Sequence, residues 1–577
     1  MHWRTVSRLL FGLAAVLAAS VLTISLSADA PGGEKLSDLL DRFRGERPGV
    51  AAIVLEDGEI VFAEAAGLAD LGTGAPFTLD TPVQTGSLAK PFTAYAIALL
   101  ERDGRLSFDD PVSKHIGELP DYGHPLTIRH LLNHQSGLRD QWGAFWMAGY
   151  EPSDLAGQDA MLRFITRQAK LDFVPGTEYN YANSNYTLLA EIIARVSGQG
   201  YPEFMADRVF GPLGMTSTRA VAKAFSEDEG EAVSYAPDGE GGFVRVPFAA
   251  ETFGPHNIVS SARDLGRWIG LFSEPESEAG SLLASMSRPA KLASGQDTVY
   301  GMGLIDIQWL GAQHIHHFGV DAGYRAYSGF YPEAGAGLVL LANSADADLP
   351  DLAQAMAEAA FPERLAIPGP RNRVAAPLPA SLIDRIAGSY RVVSGPALRA
   401  NNHPYEGPFA VKGGPLVTIT RHGAGIAIGS AWSAPLPFED TGTEDVAVRT
   451  RMGDIVLRTD ILADGPIDEL VLDQYGETRL VRVEENGGSD LSALEGRYVS
   501  DELETFYDVS ADEGRLRLSH IRTGTVTLQP EAGEGRFTGP WIFGAVQFEK
   551  RDGEDMMLVS YGRARQIPFR KVAPASP

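Results

Sequence analysis

A dense run of prolines, Ile367-Pro368-Gly369-Pro370 leading to Pro377-Leu378-Pro379, divides this 577-residue sequence into two parts with different patterning. Proline fixes φ and has no amide hydrogen to donate, so the run is expected to end regular structure and form a linker over residues 367–380. Ahead of it, β-rich runs stand at both ends and apolar stretches of helical length lie between them. Residues 50–55 and 60–63 flank Asp57-Gly58, a strong hairpin signal, and residues 299–343 return to strand-like runs. Residues 94–100, 188–196, 261–272 and 352–360 read as helices. This arrangement predicts an α/β fold over residues 31–366, one antiparallel sheet flanked by helices. Beyond the linker, short strands alternate with glycine turns. Two segments there start alike, at Gly388-Ser389-Tyr390 and Gly496-Arg497-Tyr498, and end alike, at Tyr475-Gly476-Glu477-Thr478-Arg479 and Tyr561-Gly562-Arg563-Ala564-Arg565. Two related all-β, barrel-like domains are therefore expected, over residues 381–485 and 486–577.

Within the first part, chemistry gathers around Thr85-Gly86-Ser87-Leu88-Ala89-Lys90-Pro91. Ser87 and Lys90 are three residues apart, so on a helix starting near Ser87 they share a face and the amine reaches the hydroxyl. Such a serine also sits where free N–H groups and the helix dipole favour the negative charge that acyl transfer develops. A helix cap beside an exposed lysine has the same spacing, so the pair alone decides nothing. Two further candidates are Tyr181-Ala182-Asn183, on a loop entering a helix, and His317-Phe318-Gly319, in a strand-like run. A third is the aromatic stretch Gln141-Trp142-Gly143-Ala144-Phe145-Trp146-Met147. No periodicity places it on a regular element. It reads either as a lid-like loop packed on the domain or as an apolar pocket wall, with Trp142, Phe145 and Trp146 its large residues.

Charge narrows the partners. With 49 Lys and Arg against 75 Asp and Glu, the net charge of −26 disfavours nucleic acid and anionic membrane surfaces. The chain has no cysteine, which excludes disulfides, thiolate metal sites, cysteine catalysis and a lipid-modified cysteine. Residues 1–30 carry Arg4 and Arg8, then an apolar run, then Ala28-Asp29-Ala30, the order of a secretory signal peptide. A periplasmic or secreted location is expected, the competing reading being an uncleaved membrane anchor. His314, His316 and His317 lie close, but no carboxylate stands at ligand spacing, so neither a metal nor another cofactor is expected. His130 and His134 lack the glutamate of His-Glu-x-x-His and read as structural, while Asp264 and Trp268 read as helix-cap and core residues.

Taken in order, Ser87-x-x-Lys90, Tyr181-x-Asn183 and His317-Phe318-Gly319 resemble the three active-site motifs of serine β-lactamase-like proteins. That group includes class C β-lactamases, D-Ala-D-Ala carboxypeptidases, D-aminopeptidases and related esterases. Pro175-Gly176, Pro212-Leu213-Gly214-Met215, Tyr300-Gly301-Met302-Gly303 and Asn343 extend the resemblance over roughly residues 35–365. The C-terminal part resembles the lipocalin-like barrels appended to some members. The resemblance implies that Ser87 attacks a carbonyl to form an acyl-enzyme, with Lys90 and Tyr181 sharing the proton work. It further implies that Asn183 donates to the substrate carbonyl or holds Lys90, and that the backbone amides of Ser87 and Val320 form an oxyanion hole that Gly319 lets the substrate approach.

The third motif departs from the common Lys-Thr-Gly and His-Thr-Gly patterns. His317 can still assist Tyr181 but is mostly neutral at pH 7, and Phe318 removes a hydroxyl that bonds the substrate carboxylate in β-lactam-recognising relatives. Arg325 is a candidate for the missing charge. The expected function is an exported serine hydrolase cleaving an ester, an amide or a short D-amino-acid peptide, with esterase or D-aminopeptidase-like activity favoured. The alternatives are carboxypeptidase or β-lactamase activity, a penicillin-binding sensor that acylates without turnover, and a β-rich half that binds an apolar or cell-wall ligand.

Overall fold

The computed structural model describes residues 33–151, 154, 156–221, 230–247, 250–309, 312–365, 377–395, 416–430, 433–440, 446–448, 455–458, 467–473, 477–483, 490–531 and 533–573. The signal-like residues 1–30, most of the linker and Tyr475-Gly476 lie outside them.

The first part is built on a six-stranded antiparallel sheet. Its strands are β1 (Val50–Glu56), β2 (Glu59–Ala66), β3 (Ile305–Trp309), β4 (Ala312–Asp321), β5 (Tyr324–Tyr331) and β6 (Ala336–Ala342), in the order β3-β4-β5-β6-β1-β2. The N-terminal hairpin and the strands after residue 299 thus meet through β1 and β6, with Val50 opposite Ala342 and Glu56 opposite Ala336. Side chains alternate across a strand, so β1 feeds two cores. Ala51, Ile53 and Leu55 join helices α1 (Ala89–Arg102), α3 (Asn183–Ser197) and α4 (Ala262–Gly270) on one face. Val50, Ala52 and Val54 join α5 (Leu349–Ala360) and the short helix Gly33–Asp38 on the other. Burial on both faces explains the unbroken apolar run at residues 50–55. This is the expected α/β sandwich. Trp268 lies in the first core against Phe92 and Tyr95, and Asp264 accepts from Ser217 N and Thr218 Oγ1.

Beyond the linker stand two all-β units. The first is a nine-stranded sheet from Gly388 to Arg482 around its own core, which includes Tyr390, Ile419 and Leu480. The second, from Gly496 to Val572, closes into an eight-stranded barrel. The two begin with the same local device. A short helix precedes the strand, and the tyrosine hydroxyl donates to the carbonyl four residues back, Tyr390 to Ile386 at 2.6 Å and Tyr498 to Leu494 at 3.0 Å.

The interior of the barrel is a packed apolar core. Tyr498, Leu516, Leu518, Phe548, Met557 and Phe569 fill it, and Ala144, Met147 and Ala148 of the first part belong to the same buried cluster. The aromatic stretch that supplies them is a helix, α2 (Gln141–Met147), and not a loop. Asp140 caps it by accepting from Trp142 N at 3.1 Å, and Tyr507 Oη donates to Met147 O at 3.0 Å from the barrel side. Among the described residues no helix is long and apolar enough to cross a membrane.

Candidate active site

The turn before α1 is shaped by two glycines. Gly86 has φ +52°, and a Cβ there would stand 2.8 Å from Val320 N. A Cβ on Gly319 would stand 1.8 Å from Thr85 O. Only glycine lets strand β4 press this closely on the turn, which brings the backbone of Val320 beside Ser87. A tight turn covers Gly86–Leu88, α1 follows from Ala89, and Pro91 falls in its first turn, where no amide hydrogen is needed.

Lys90 lies wholly buried under this turn. Its Nζ is 3.0 Å from Ser87 Oγ, 2.9 Å from Asn183 Oδ1 and 3.3 Å from Pro255 O. Two of these partners are carbonyl oxygens, which only accept. A neutral amine satisfies both with its two hydrogens and turns its lone pair to the one partner able to donate, the Ser87 hydroxyl. Burial pushes Lys90 well below the ordinary lysine value, the Arg563 charge adds to the effect, and Asp140 and Asp321 oppose it.

Asn183, the first residue of α3, links Lys90 to Asp140. Asp140 Oδ2 accepts from Asn183 N at 2.8 Å and from Asn183 Nδ2 at 2.9 Å, which leaves the Asn183 carbonyl facing the lysine. Tyr181 stands over the same amine, with Lys90 Nζ 4.7 Å from its ring centroid. Burial raises its phenol, while the Ser87 hydroxyl and then the Arg563 charge pull it back. The His134 ring packs on Tyr181 with centroids 4.2 Å apart, and His134 Nδ1 accepts from Ala182 N and Asn185 Nδ2. His130 completes a capping box with Thr127. Both histidines thus act in scaffolding, and His134 reaches the site itself.

His317 serves a different partner from the one expected. Its Nδ1 is 2.8 Å from Phe318 O, so that nitrogen carries the hydrogen, and Nε2, 3.1 Å from Tyr300 Oη, accepts. It is therefore tied to Tyr300, its ring centroid lies 6.3 Å from that of Tyr181, and burial pushes it well below the ordinary histidine value. Phe318 alternates with His317 along β4 and packs in the buried cluster that holds Tyr327, Tyr300 and Tyr181. Arg325 does not supply the missing charge. Its guanidinium donates to the carbonyls of Ala322, Tyr324 and Ala345.

The aromatic candidates separate. Trp142 points toward the site, donating from Nε1 to His256 Nε2 at 3.2 Å, while His256 Nδ1 holds Asp321 at 3.1 Å. Phe145 is buried in a cluster with Ala156 and Met161 and stacks on Tyr150, and Trp146 faces Tyr561 of the barrel. Sequence reasoning missed Asp140, His256, Asp321 and Arg563. Arg563 arrives on the last barrel hairpin, between Glu554–Tyr561 and Ala564–Val572, with its guanidinium carbon 5.0 Å over the Tyr181 ring and Nη2 3.9 Å from Asp140 Oδ2. Its carbonyl accepts from Asp140 N and Asn180 Nδ2. Among the described residues, no three His, Asp or Glu side chains gather as a metal site.

Comparisons with known proteins bear on the family and the fold. The Beta-lactamase family model matches residues 35–361. A D-aminopeptidase of Brucella anthropi is 29% identical over 279 residues, 48% of this chain and 52% of that protein. One of Gluconobacter oxydans is 27% identical over 539 residues, 92% of this chain and 90% of that protein. The match thus spans about half the length of the first relative. In fold, the octameric penicillin-binding protein homologue from Pyrococcus abyssi superposes with a TM-score of 0.51 at 24% identity, covering 78% of this chain and 99% of that one.

Proposed function

Because this chain belongs to the Beta-lactamase family, we propose that it hydrolyses amides or esters of D-amino acids through an acyl-enzyme on Ser87. The observation that carries the reading is the Lys90 amine placed 3.0 Å from Ser87 Oγ while two carbonyl oxygens take its hydrogens. Lys90 then accepts the Ser87 proton as Oγ attacks the carbonyl carbon. The oxyanion develops beside the backbone of Ser87 and Val320 at the start of α1, where the helix dipole favours it. Tyr181, kept protonated by burial, gives its hydrogen to the leaving amine or alkoxide as the bond breaks, and Lys90 restores it. Water enters by the reverse proton route to release the acid.

D-Amino-acid substrates are supported by the D-aminopeptidase relatives, one of them alignable over almost the whole chain. The third motif points the same way. It offers neither the lysine nor the hydroxyl with which β-lactam-recognising relatives hold a carboxylate, and Phe318 packs into a buried apolar cluster. Release of nitroaniline from D-alanine p-nitroanilide, with the L-isomer at least tenfold slower and Ser87→Ala inactive, is the expected result. Equal turnover of both isomers would remove the stereochemical part of the reading, and an active Ser87→Ala would remove all of it.

A further inference from the structure

The third motif leaves the site without a fixed cation, since His317 is neutral and Arg325 is held by backbone carbonyls. Three charged side chains act on Lys90: Asp140 from the cap of α2, Asp321 from the end of β4, and Arg563 from the barrel. The two carboxylates are already engaged, Asp140 by Asn183 and Trp142 N, and Asp321 by His256. Arg563 is different. Its Nη1 is buried without a hydrogen-bond partner, its Nη2 stands at 3.9 Å from Asp140, and its guanidinium carbon lies 5.0 Å over the Tyr181 ring. The hairpin that carries it is clamped by two hydrogen bonds to the Arg563 carbonyl. Tyr181 also meets the rings of His134, Tyr300 and His317.

We propose that Arg563 is a positioning residue for proton transfer, supplying from the C-terminal barrel the permanent positive charge that the third motif lacks. A guanidinium stays charged at every pH at which the protein folds. Next to an amine it disfavours the ammonium, and next to a phenol it favours the phenolate, so one group makes Lys90 a readier base and Tyr181 a readier acid. Asp140 works against it on the same lysine. The Arg563–Asp140 pair is thus a balance whose two halves have opposite effects on the pH at which Lys90 becomes a base.

This inference rests on the acyl-transfer reading above, and the pH dependence of kcat/KM in the full-length protein tests the two separately. Arg563→Met should move the acid limb upward by about one pH unit or more, and Arg563→Lys should restore it. Asp140→Asn, which keeps an acceptor oxygen for Asn183, should move the limb downward. Thermal melting of each variant reports whether it folds, and Asp140→Asn carries the test alone where Arg563→Met does not. A uniform loss of rate with the limb unmoved, or Arg563→Lys behaving as Arg563→Met, overturns the proposal while an inactive Ser87→Ala leaves the acyl-enzyme standing. Turnover by Ser87→Ala overturns both.

Discussion

The carboxamide of Asn183 holds the two halves of the site together, because its nitrogen is fixed by Asp140 and its oxygen faces Lys90. Removing it frees a buried amine to rotate away from Ser87 and leaves Asp140 short of the Nδ2 hydrogen bond, its bond from Asn183 N remaining. Asn183→Ala should lower kcat/KM roughly 100-fold, the scale of an ångström-sized misplacement, with KM changing far less than kcat. Steady-state kinetics on the nitroanilide checks this, and a loss confined to KM would contradict it. Ser87, Lys90, Tyr181 and Asn183 were legible in the sequence because their spacing is local and each sits at the start of a helix. Asp140 was not legible, because nothing local connects it to an asparagine 43 positions later.

Helix α2 shows where local reading stops. Its seven residues alternate no polar and apolar face, since Trp142 turns to the catalytic site, Phe145 to a small cluster with Ala156 and Met161, and Ala144 and Met147 to a barrel more than 340 residues away. Beside it a buried charge cluster joins the same two parts. Arg139 lies 3.0 Å from Asp172 and 3.2 Å from Glu502 of the barrel, donates to Arg565 O at 2.9 Å, and Arg565 reaches Glu178 at 3.0 Å. Burial pushes Asp172 up to about 6, with Arg139 and Arg565 opposing. In the unfolded chain it ionises at about 3.9. The folded state therefore binds the extra proton between pH about 4 and about 6. The stability this group contributes is complete below that window and is lost as pH rises through it. Asp172→Asn should flatten the slope of unfolding free energy over pH 4 to 6 in urea titrations; an unchanged slope would contradict the assignment.

At the scale of the whole molecule, the barrel is part of the scaffold of the candidate site. The hairpin at residues 561–565 touches Asp140, Asn180, Asp172 and Glu178, and α2 completes the barrel core. A chain ended at residue 489 would expose Ala144, Met147 and Ala148 and take Glu502 and Arg565 from the buried Arg139–Asp172 pair. It should be insoluble or inactive, and a soluble fragment with full turnover would contradict this. The fold class of each part was readable from patterning, since periodicity reports which faces are buried. The docking of the parts was not, because it depends on contacts between residues hundreds of positions apart. The Tyr561-Gly562-Arg563-Ala564-Arg565 segment stood out only as the end of a repeat.

The account centres on Ser87 as the atom that carries the acyl group. Acid quenching during turnover of a D-alanine p-nitrophenyl ester, followed by intact-mass measurement and peptide mapping, reads this directly. The expected result is a D-alanyl adduct on the peptide containing Ser87, absent from Ser87→Ala. An adduct on another residue, or undiminished turnover in Ser87→Ala, would contradict it.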